Sequence, residues 1–298
     1  MNQMMAGASA PTAPRRRRRH RGMWIGLAFA APALILFVVF RVFASGAGLG
    51  LSLFSVGVDG SAIWVGLTNF VRLFADPVFW GSLGVTVLYT VLTVPLSIGA
   101  SFLFALLVRG KFRGVGFFRS VFFLPTVTSL VVAATIFIWI FSVDGPVSGM
   151  LGTGSWLASP QLVVPALVIV SIWVRFGYGM LILLASLNEI PEEIEEAARL
   201  DGARWRHQVR WIILPHVRPA IFFLAITETA VSFQVFDLIN VMTGGGPGRS
   251  SYALVMFLYD QGFRYFDFGY ASAIGAVLFV IALAFALVQH LVIGREKK

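Results

Sequence analysis

The stretch that decides the fold reads Glu196-Ala197-Ala198-Arg199-Leu200-Asp201-Gly202, followed after nine residues by Ile212-Ile213-Leu214-Pro215. It is a charged insert between two long apolar runs. Of the 298 residues, 58% are hydrophobic and only 12% are charged, and the mean hydropathy is +0.84. A soluble domain carries about 25% charged residues, so this composition indicates an integral membrane protein. A structured polar loop in such a protein indicates contact with a soluble partner.

Six apolar runs are long enough to cross about 30 Å of hydrocarbon as helices, which predicts an all-α, polytopic bundle of six transmembrane helices. The predicted spans are Trp24–Ala44, Leu83–Val108, Phe117–Phe141, Leu162–Ala185, Val217–Asn240 and Phe268–Ile293. Between the first two, Asp76-Pro77 has the form of a helix start. With Phe79 and Trp80 after it, we expect a short helix lying on the membrane there.

The distribution of basic residues predicts the orientation, because cytoplasmic loops carry an excess of Lys and Arg. Eighteen of them lie in the N-terminal tail, the second and fourth connections and the C-terminus, whereas the opposite loops hold three. We therefore expect a multi-pass membrane protein with both termini in the cytoplasm. The predicted regions are a basic tail (1–22), a first span with its outer loop (23–81), a transmembrane core (82–294) and a basic C-terminus (295–298).

The basic run Arg15–Arg19 has two interpretations. One is binding of nucleic acid or another specific partner. The other is a tail that fixes topology and rests on anionic lipid, at about 1 kcal/mol per basic residue near the surface. The second agrees with the topology, so the lipid bilayer is the expected partner and nucleic acid is not.

The charged insert predicts a short helix–turn–helix. Pro191 suits the start of a helix, and the glutamates that follow it complement the positive end of the helix dipole. Glu195 and Arg199 are spaced for a helical ion pair. Gly202 suits a left-handed C-terminal cap, so the first helix occupies about 190–203. From the residues alone, a docking helix and an ordinary solvated connector both remain open.

The spacing of this insert resembles the cytoplasmic signature of permease subunits of binding-protein-dependent ABC importers. The matching residues are Glu196, Ala197, Ala198, Gly202, Ile212, Leu214 and Pro215. The resemblance implies a type I importer permease fold with a MetI-like transmembrane domain. It also implies that a cytoplasmic ATPase docks on Glu195, Glu196, Ala197, Ala198, Asp201, Gly202, Ile212, Leu214 and Pro215.

Four further motifs resemble the carbohydrate-uptake branch of that family, in particular the first permease of sugar and glycerol-3-phosphate systems. They are Val65-Gly66-Leu67-Thr68-Asn69-Phe70, Phe117-Phe118-Arg119 with Phe123-Leu124-Pro125, Phe233-Gln234-Val235-Phe236-Asp237, and Thr243-Gly244-Gly245-Gly246-Pro247-Gly248. The resemblance implies a location in the bacterial inner membrane. The implied partners are a second permease in a heterodimer, two ATPase subunits and an extracytoplasmic solute-binding protein. ATP and magnesium would be bound by the ATPase, with no cofactor in this chain.

Polar residues inside spans are costly unless they face protein or water, so they mark a candidate substrate pathway. The candidates are Ser171, Arg175, Tyr178, Glu228, Ser232 and Gln234. Tyr178 offers a stacking surface for a sugar, and the hydroxyl and amide groups offer hydrogen bonds. Hydrogen bonding between helices of the bundle is the alternative role for the serines and Gln234. Arg175 either pairs with Glu228 or binds an anionic group such as a phosphate.

The run Gly244, Gly245, Gly246 and Pro247 predicts a tight outer turn that helps to contact the solute-binding protein, joined by Tyr252, Tyr259, Phe263 and Tyr265. It does not match a phosphate-binding loop, because no Lys-Ser/Thr pair follows it. The four histidines lack metal-ligand spacing, and the chain contains no cysteine. We therefore predict a transporter subunit, not an enzyme. The alternatives are import of glycerol phosphates or their diesters, and more remotely a secondary transporter or a membrane-embedded enzyme.

Overall fold

Apolar chain inside a bilayer must satisfy its backbone hydrogen bonds internally, and the apolar runs accordingly form long helices. The computed structural model describes residues 16–57, 59–110 and 112–293, and the chain divides into two units, residues 1–50 and 51–298. By length and composition, five helices in this described part are able to cross a membrane, and one bent helix pair brings the number to six. The prediction of six spans is thereby confirmed.

The first unit is one helical run. α1 spans Arg16–Phe37, a π-helical segment covers Val38–Phe43, and α2 spans Ala44–Leu51. Leu27–Leu51 has a mean hydropathy of 2.4, so the first predicted span is confirmed and extends further toward the C-terminus. Residues 1–15 of the predicted basic tail and residues 295–298 lie outside the described residues.

The second unit opens with a small hairpin that the sequence did not predict. β1 (Phe54–Val56) pairs antiparallel with β2 (Ala62–Trp64), and α3 (Thr68–Ala75) follows. The predicted surface helix at Asp76-Pro77 is wrong. Those residues instead begin α4 (Pro77–Val108), where Asp76 Oδ1 accepts a hydrogen bond from the Val78 amide at 2.8 Å. The second span is therefore longer at its N-terminal end than predicted.

The third predicted span is bent. α5 (Val115–Val127) and α6 (Leu130–Ile140) meet at an angle of 96°, next to Pro125, which removes a helical hydrogen bond. A short α7 (Pro146–Leu151) and a single 3₁₀ turn lead to α8 (Val163–Asn188). The charged insert then forms α9 (Glu192–Leu200) and α10 (Trp205–Gln208).

α10 runs through a π-helical turn into α11 (Leu214–Phe233), so the fifth span ends before the predicted Asn240. The residues after it form two short helices, α12 (Asp237–Met242) and α13 (Leu254–Tyr259), and a further π-helical turn. α14 (Phe268–Ile293) is the last span, with the predicted bounds.

α8 is the central helix of the second unit and packs against α4, α5, α6 and α11. One apolar cluster surrounds its N-terminal half and a second surrounds its C-terminal half, where Leu183 and Leu187 are fully buried. α4 contacts it through a polar face: Ser101 Oγ lies 3.0 Å from the Phe176 carbonyl oxygen. The bundle thus has an end that carries α9 and an opposite end that carries α12 and α13.

Candidate functional site

α9 has the predicted form of an exposed acidic helix. It begins after Pro191, its first turn carries Glu192, Glu193 and Glu195, and Arg199 lies in its last turn, an order that suits the helix dipole. All nine of its residues are described, and none of them is buried. The helix therefore presents most of its surface away from the bundle.

Gly202 forms the left-handed cap that the sequence predicted, with φ +76°. The Gly202 amide donates to the Arg199 carbonyl at 3.0 Å, and the Ala203 amide donates to the Ala198 carbonyl at 2.9 Å. These two bonds are the Schellman pattern, which closes the last turn and fixes the direction of the next segment. Gln208 is buried and its amide donates back to the Ala203 carbonyl at 3.0 Å, so the turn between α9 and α10 is rigid.

Glu195 faces the bundle and has a partner that the sequence did not predict. Its Oε1 lies 2.5 Å from Arg109 Nη1 at the C-terminal end of α4, and both side chains are largely covered, with 13% and 18% exposed. The predicted contact with Arg199 exists but is long, at 4.0 Å. Because Arg109 is 86 positions earlier in the chain, no local pattern indicates this pair.

The other residues of the predicted ATPase contact differ in exposure. Glu196, Ala197, Asp201 and Gly202 are exposed, and Ala198 is half-buried. Leu200, between them, is 89% exposed. At the entry to α11, Ile212 is half-buried against the second apolar cluster, whereas Leu214 and Pro215 are exposed.

An open cavity of about 770 Å³ separates α9 from the ends of the spans. Its lining mixes cations and carboxylates with a few apolar groups and includes Arg109, Arg119, Glu192, Glu196, Arg199 and Trp205. Arg119 Nη2 also donates to the Val108 carbonyl at 2.8 Å, which caps α4 next to Arg109. The α9 end is therefore polar and accessible.

Two of the predicted pathway residues are paired in the interior. Arg175 Nη2 on α8 lies 2.6 Å from Glu228 Oε2 on α11, with 19% and 7% of the side chains exposed. Of the two roles considered for Arg175, the structure shows pairing with Glu228. A paired arrangement avoids leaving either charge unpaired in a low-dielectric interior.

Ser171 lies against the bundle and not on an open surface. It is 3% exposed, its Oγ lies 2.5 Å from the Tyr89 hydroxyl of α4, and it donates to the Leu167 carbonyl at 2.9 Å. This is the alternative role that the sequence left open, a hydrogen bond between helices. Tyr89 was missed, although a tyrosine within an apolar run is a signal of a buried polar contact.

The other pathway candidates differ in how exposed they are. Tyr178 is 44% exposed on α8, and Gln234 is exposed at the end of α11, where its amide donates to the Ala230 carbonyl at 3.0 Å. Ser232 is fully buried. Of the six candidates, Arg175 and Glu228 contact each other directly, through the ion pair described above.

The glycine-rich loop at the opposite end is a tight turn. Gly245 is buried at φ +86°, and a Cβ added there would lie 2.6 Å from Cδ2 of the Tyr252 ring. Ser251, which the sequence did not single out, donates to the Gly246 carbonyl at 2.6 Å. Gly246 and Pro247 are half-buried, and Gly244 is exposed.

Tyr252 connects this loop to the next helix. Its hydroxyl donates to Asp260 Oδ2 at 2.6 Å, and Asp260 also pairs with Arg264 at 3.2 Å. Burial, together with this hydrogen bond, raises the pKa of Tyr252. Phe263 and Tyr265 are 62% and 68% exposed, so they form the open aromatic surface of this end, while Tyr252 and Tyr259 are partly covered.

Within the described residues, no group of three or more His, Cys, Asp or Glu side chains is arranged to hold a metal ion. The predicted site residues lie in the α9 surface, in the spans around the Arg175–Glu228 pair, and in the loop that contains Gly245.

A protein family and several known permeases match this sequence. The family described as "Binding-protein-dependent transport system inner membrane component" matches residues 97–297. LacF of Rhizobium radiobacter, a lactose transport system permease protein, is 35% identical over 284 residues, which cover 92% of this chain and 95% of LacF. UgpA of Agrobacterium fabrum, an sn-glycerol-3-phosphate transport system permease protein, is 32% identical over 266 residues, which cover 87% of this chain and 91% of UgpA.

Among solved structures, one chain of a bacterial ABC transporter involved in the import of the acidic polysaccharide alginate superposes with a TM-score of 0.82. The alignment covers 96% of this chain and 100% of that one at 22% identity, a level at which the likeness concerns the fold.

Proposed function

This chain belongs to the family of binding-protein-dependent transport system inner membrane components and is a permease subunit of an ABC importer, and on that premise we propose that it forms half of the pathway for a sugar or oligosaccharide. It is not itself an enzyme, because ATP hydrolysis belongs to a partner of such permeases. It is a multi-pass membrane protein. The proposal further includes cytoplasmic termini, for which the excess of basic residues on one side of the sequence is the support.

The observation that carries the mechanism is α9. α9 is an acidic helix of nine residues that ends in the rigid Gly202 cap, and none of these described residues is buried. These features suit a helix to which another protein binds. We assign the ATPase contact to its exposed side, with Glu196, Ala197 and Asp201 near the centre. Closure of two ATPase subunits on ATP would push α9, and the spans would then expose the pathway alternately to the two sides.

The exposed polar groups of the spans support a second permease as the partner. Gln234 and Tyr178 lie on the open surface of α11 and α8, and a polar amide that faces lipid is costly. A second permease that covers the exposed sides of these helices would remove both side chains from lipid and place them in a wet interior. Tyr178 would then supply the stacking surface for a sugar ring, and Gln234 a hydrogen bond.

The paired state of Arg175 favours a neutral solute. Its charge is compensated by Glu228 at 2.6 Å, so a substrate phosphate would have to compete with a buried carboxylate for the guanidinium. The relation to LacF supports a sugar, whereas the relation to UgpA keeps glycerol-3-phosphate or a glycerophosphodiester as the second candidate. For either substrate, the aromatic surface of Phe263 and Tyr265 and the exposed side of the Gly244–Pro247 turn are the proposed contacts of a solute-binding protein.

Reconstitution tests the proposal. The chain is assembled in liposomes with a second permease, the ATPase and the solute-binding protein encoded beside it, and a ligand screen on the binding protein selects the solute. We expect uptake that requires ATP, the binding protein and a neutral sugar. Uptake that continues without the ATPase would contradict the importer mechanism, and a binding protein that retains only phosphorylated glycerol compounds would favour the second candidate.

A further inference from the structure

α9 is attached to the spans with little burial of its own side chains. Its nine residues are all described and none is buried, and its apolar side chains Ile194 and Leu200 are 48% and 89% exposed. Burial of apolar side chains therefore contributes little to holding the helix against the bundle. The covalent chain holds it at both ends, since Ile190 before it and Gln208 after it are buried.

The Arg109–Glu195 ion pair bridges the space between α9 and the spans. The two side chains meet at 2.5 Å and are mostly covered, although they border the cavity of about 770 Å³. An ion pair shielded from water is less screened than a surface pair and holds a fixed geometry when an arginine takes part. The pair therefore forms a direct polar link, here called the strut, between α9 and the C-terminal end of α4.

The other end of the strut is also fixed. Arg109 directly follows Val108, the last residue of α4, and Val108 is 1% exposed. Arg119 of α5 donates from Nε and Nη2 to the Val108 carbonyl oxygen at 3.2 and 2.8 Å. A displacement of Glu195 would therefore act on a point where α4 and α5 are already tied together.

α4 is able to carry such a displacement into the bundle. It is an unbroken helix of 32 residues, about 48 Å long at 1.5 Å per residue. It packs along α8 and contains Tyr89, which contacts Ser171. Motion at Arg109 thus reaches the helix that carries Arg175 and Tyr178.

We propose that the Arg109–Glu195 pair is the link that transmits the movement of α9 to α4 during ATP-driven transport. Arg109 and Glu195 are positioning residues in this role, which rests on the proposed docking of an ATPase on the exposed side of α9. Loss of the link leaves the ATPase bound and active but uncouples its cycle from the spans. The expected signature is a lower amount of solute transported per ATP hydrolysed.

The test uses the complete reconstituted transporter. Arg109→Gln and Glu195→Gln each remove one charge, Arg109→Lys keeps it, and the double variant Arg109→Glu/Glu195→Arg exchanges the two. Arg113→Gln, an exposed cation in the same connection, is the matched control. The measurements are solute uptake, ATP hydrolysis and the amount of ATPase that co-purifies with the permease.

We expect both single Gln variants to lower the transport-to-hydrolysis ratio about fivefold or more, the lower range of coupling between sites. Arg109→Lys and the exchanged pair should recover most of the ratio, and Arg113→Gln should not change it. A wild-type ratio in the Gln variants, or no recovery in the exchanged pair, would overturn the link. Loss of the ATPase on Arg109→Gln would also overturn it, because the pair would then serve docking itself. The docking proposal is tested separately with Glu196→Lys. If the ATPase still co-purifies with this variant, the docking proposal is wrong.

Discussion

The pair between Arg175 and Glu228 provides a prediction whose magnitude follows from burial. Arg175→Gln removes the cation that lies 2.6 Å from Glu228, a residue that is only 5% exposed. Removal of one partner of a buried ion pair typically costs 3–5 kcal/mol, because the other charge stays buried without compensation. At roughly 2 °C per kcal/mol for a chain of this size, a cost of about 3 kcal/mol lowers the melting temperature by about 6 °C.

The matched control removes both charges. Arg175→Gln/Glu228→Gln leaves two neutral amides that are able to bond to one another, so the double variant should be more stable than either single variant. Thermal unfolding of the purified complex measures the stabilities, and uptake of a neutral sugar by the same preparations measures function. If Arg175→Gln assembles, melts like the wild type and takes up a neutral sugar normally, then the structural role of the pair is wrong. A normal melting temperature with loss of uptake of an anionic solute alone would assign Arg175 to the substrate.

Three further substitutions test local features of the structure. Gly202→Ala places a Cβ at φ +76°, which costs about 1–2 kcal/mol, and it should weaken co-purification of the ATPase. The control Gly149→Ala places a Cβ in open space within a helix and should leave co-purification unchanged. Gly245→Ala should lower the melting temperature more than Gly248→Ala, because both have positive φ but only the first meets the Tyr252 ring; equal losses would contradict the packing described. Tyr89→Phe removes the hydrogen bond to Ser171 and should cost about 1 kcal/mol in thermal unfolding, with Ser171 still bonded to Leu167; an unchanged melting temperature would mean that this contact adds nothing.

Hydropathy was enough to predict the number of spans, because crossing a bilayer requires a long apolar helix whatever its neighbours. It does not report how an apolar run bends. The 96° bend between α5 and α6 divides a run that is continuous in hydropathy, and Pro125 was the available signal. Similarly, Asp76-Pro77 indicates a helix start and α4 begins there, but the length of α4 depends on contacts with distant residues of α13 and α14, against which Phe79 packs.

At the candidate site, features set by neighbouring residues could be predicted from the sequence. Contacts between residues far apart in the sequence could not. The Gly202 cap follows from one residue type and was predicted. The pairing of Arg175 with Glu228 was one of two options, since two opposite charges inside spans favour each other. The partners of Glu195 and Ser171 lie 86 and 82 positions away, so only the folded chain identifies Arg109 and Tyr89.

The central claim is that an ATPase binds the exposed side of α9. Site-specific crosslinking tests it most directly. Because the sequence contains no cysteine, Ala197→Cys introduces a single thiol on that exposed side, and Phe263→Cys introduces one at the opposite end. A reagent with one thiol-reactive group and one photoreactive group is attached to the introduced cysteine, and the assembled transporter is then irradiated. It should join the ATPase to the Ala197→Cys variant and not to the Phe263→Cys variant. An adduct that is absent from Ala197→Cys, or equally abundant in both variants, would contradict the account.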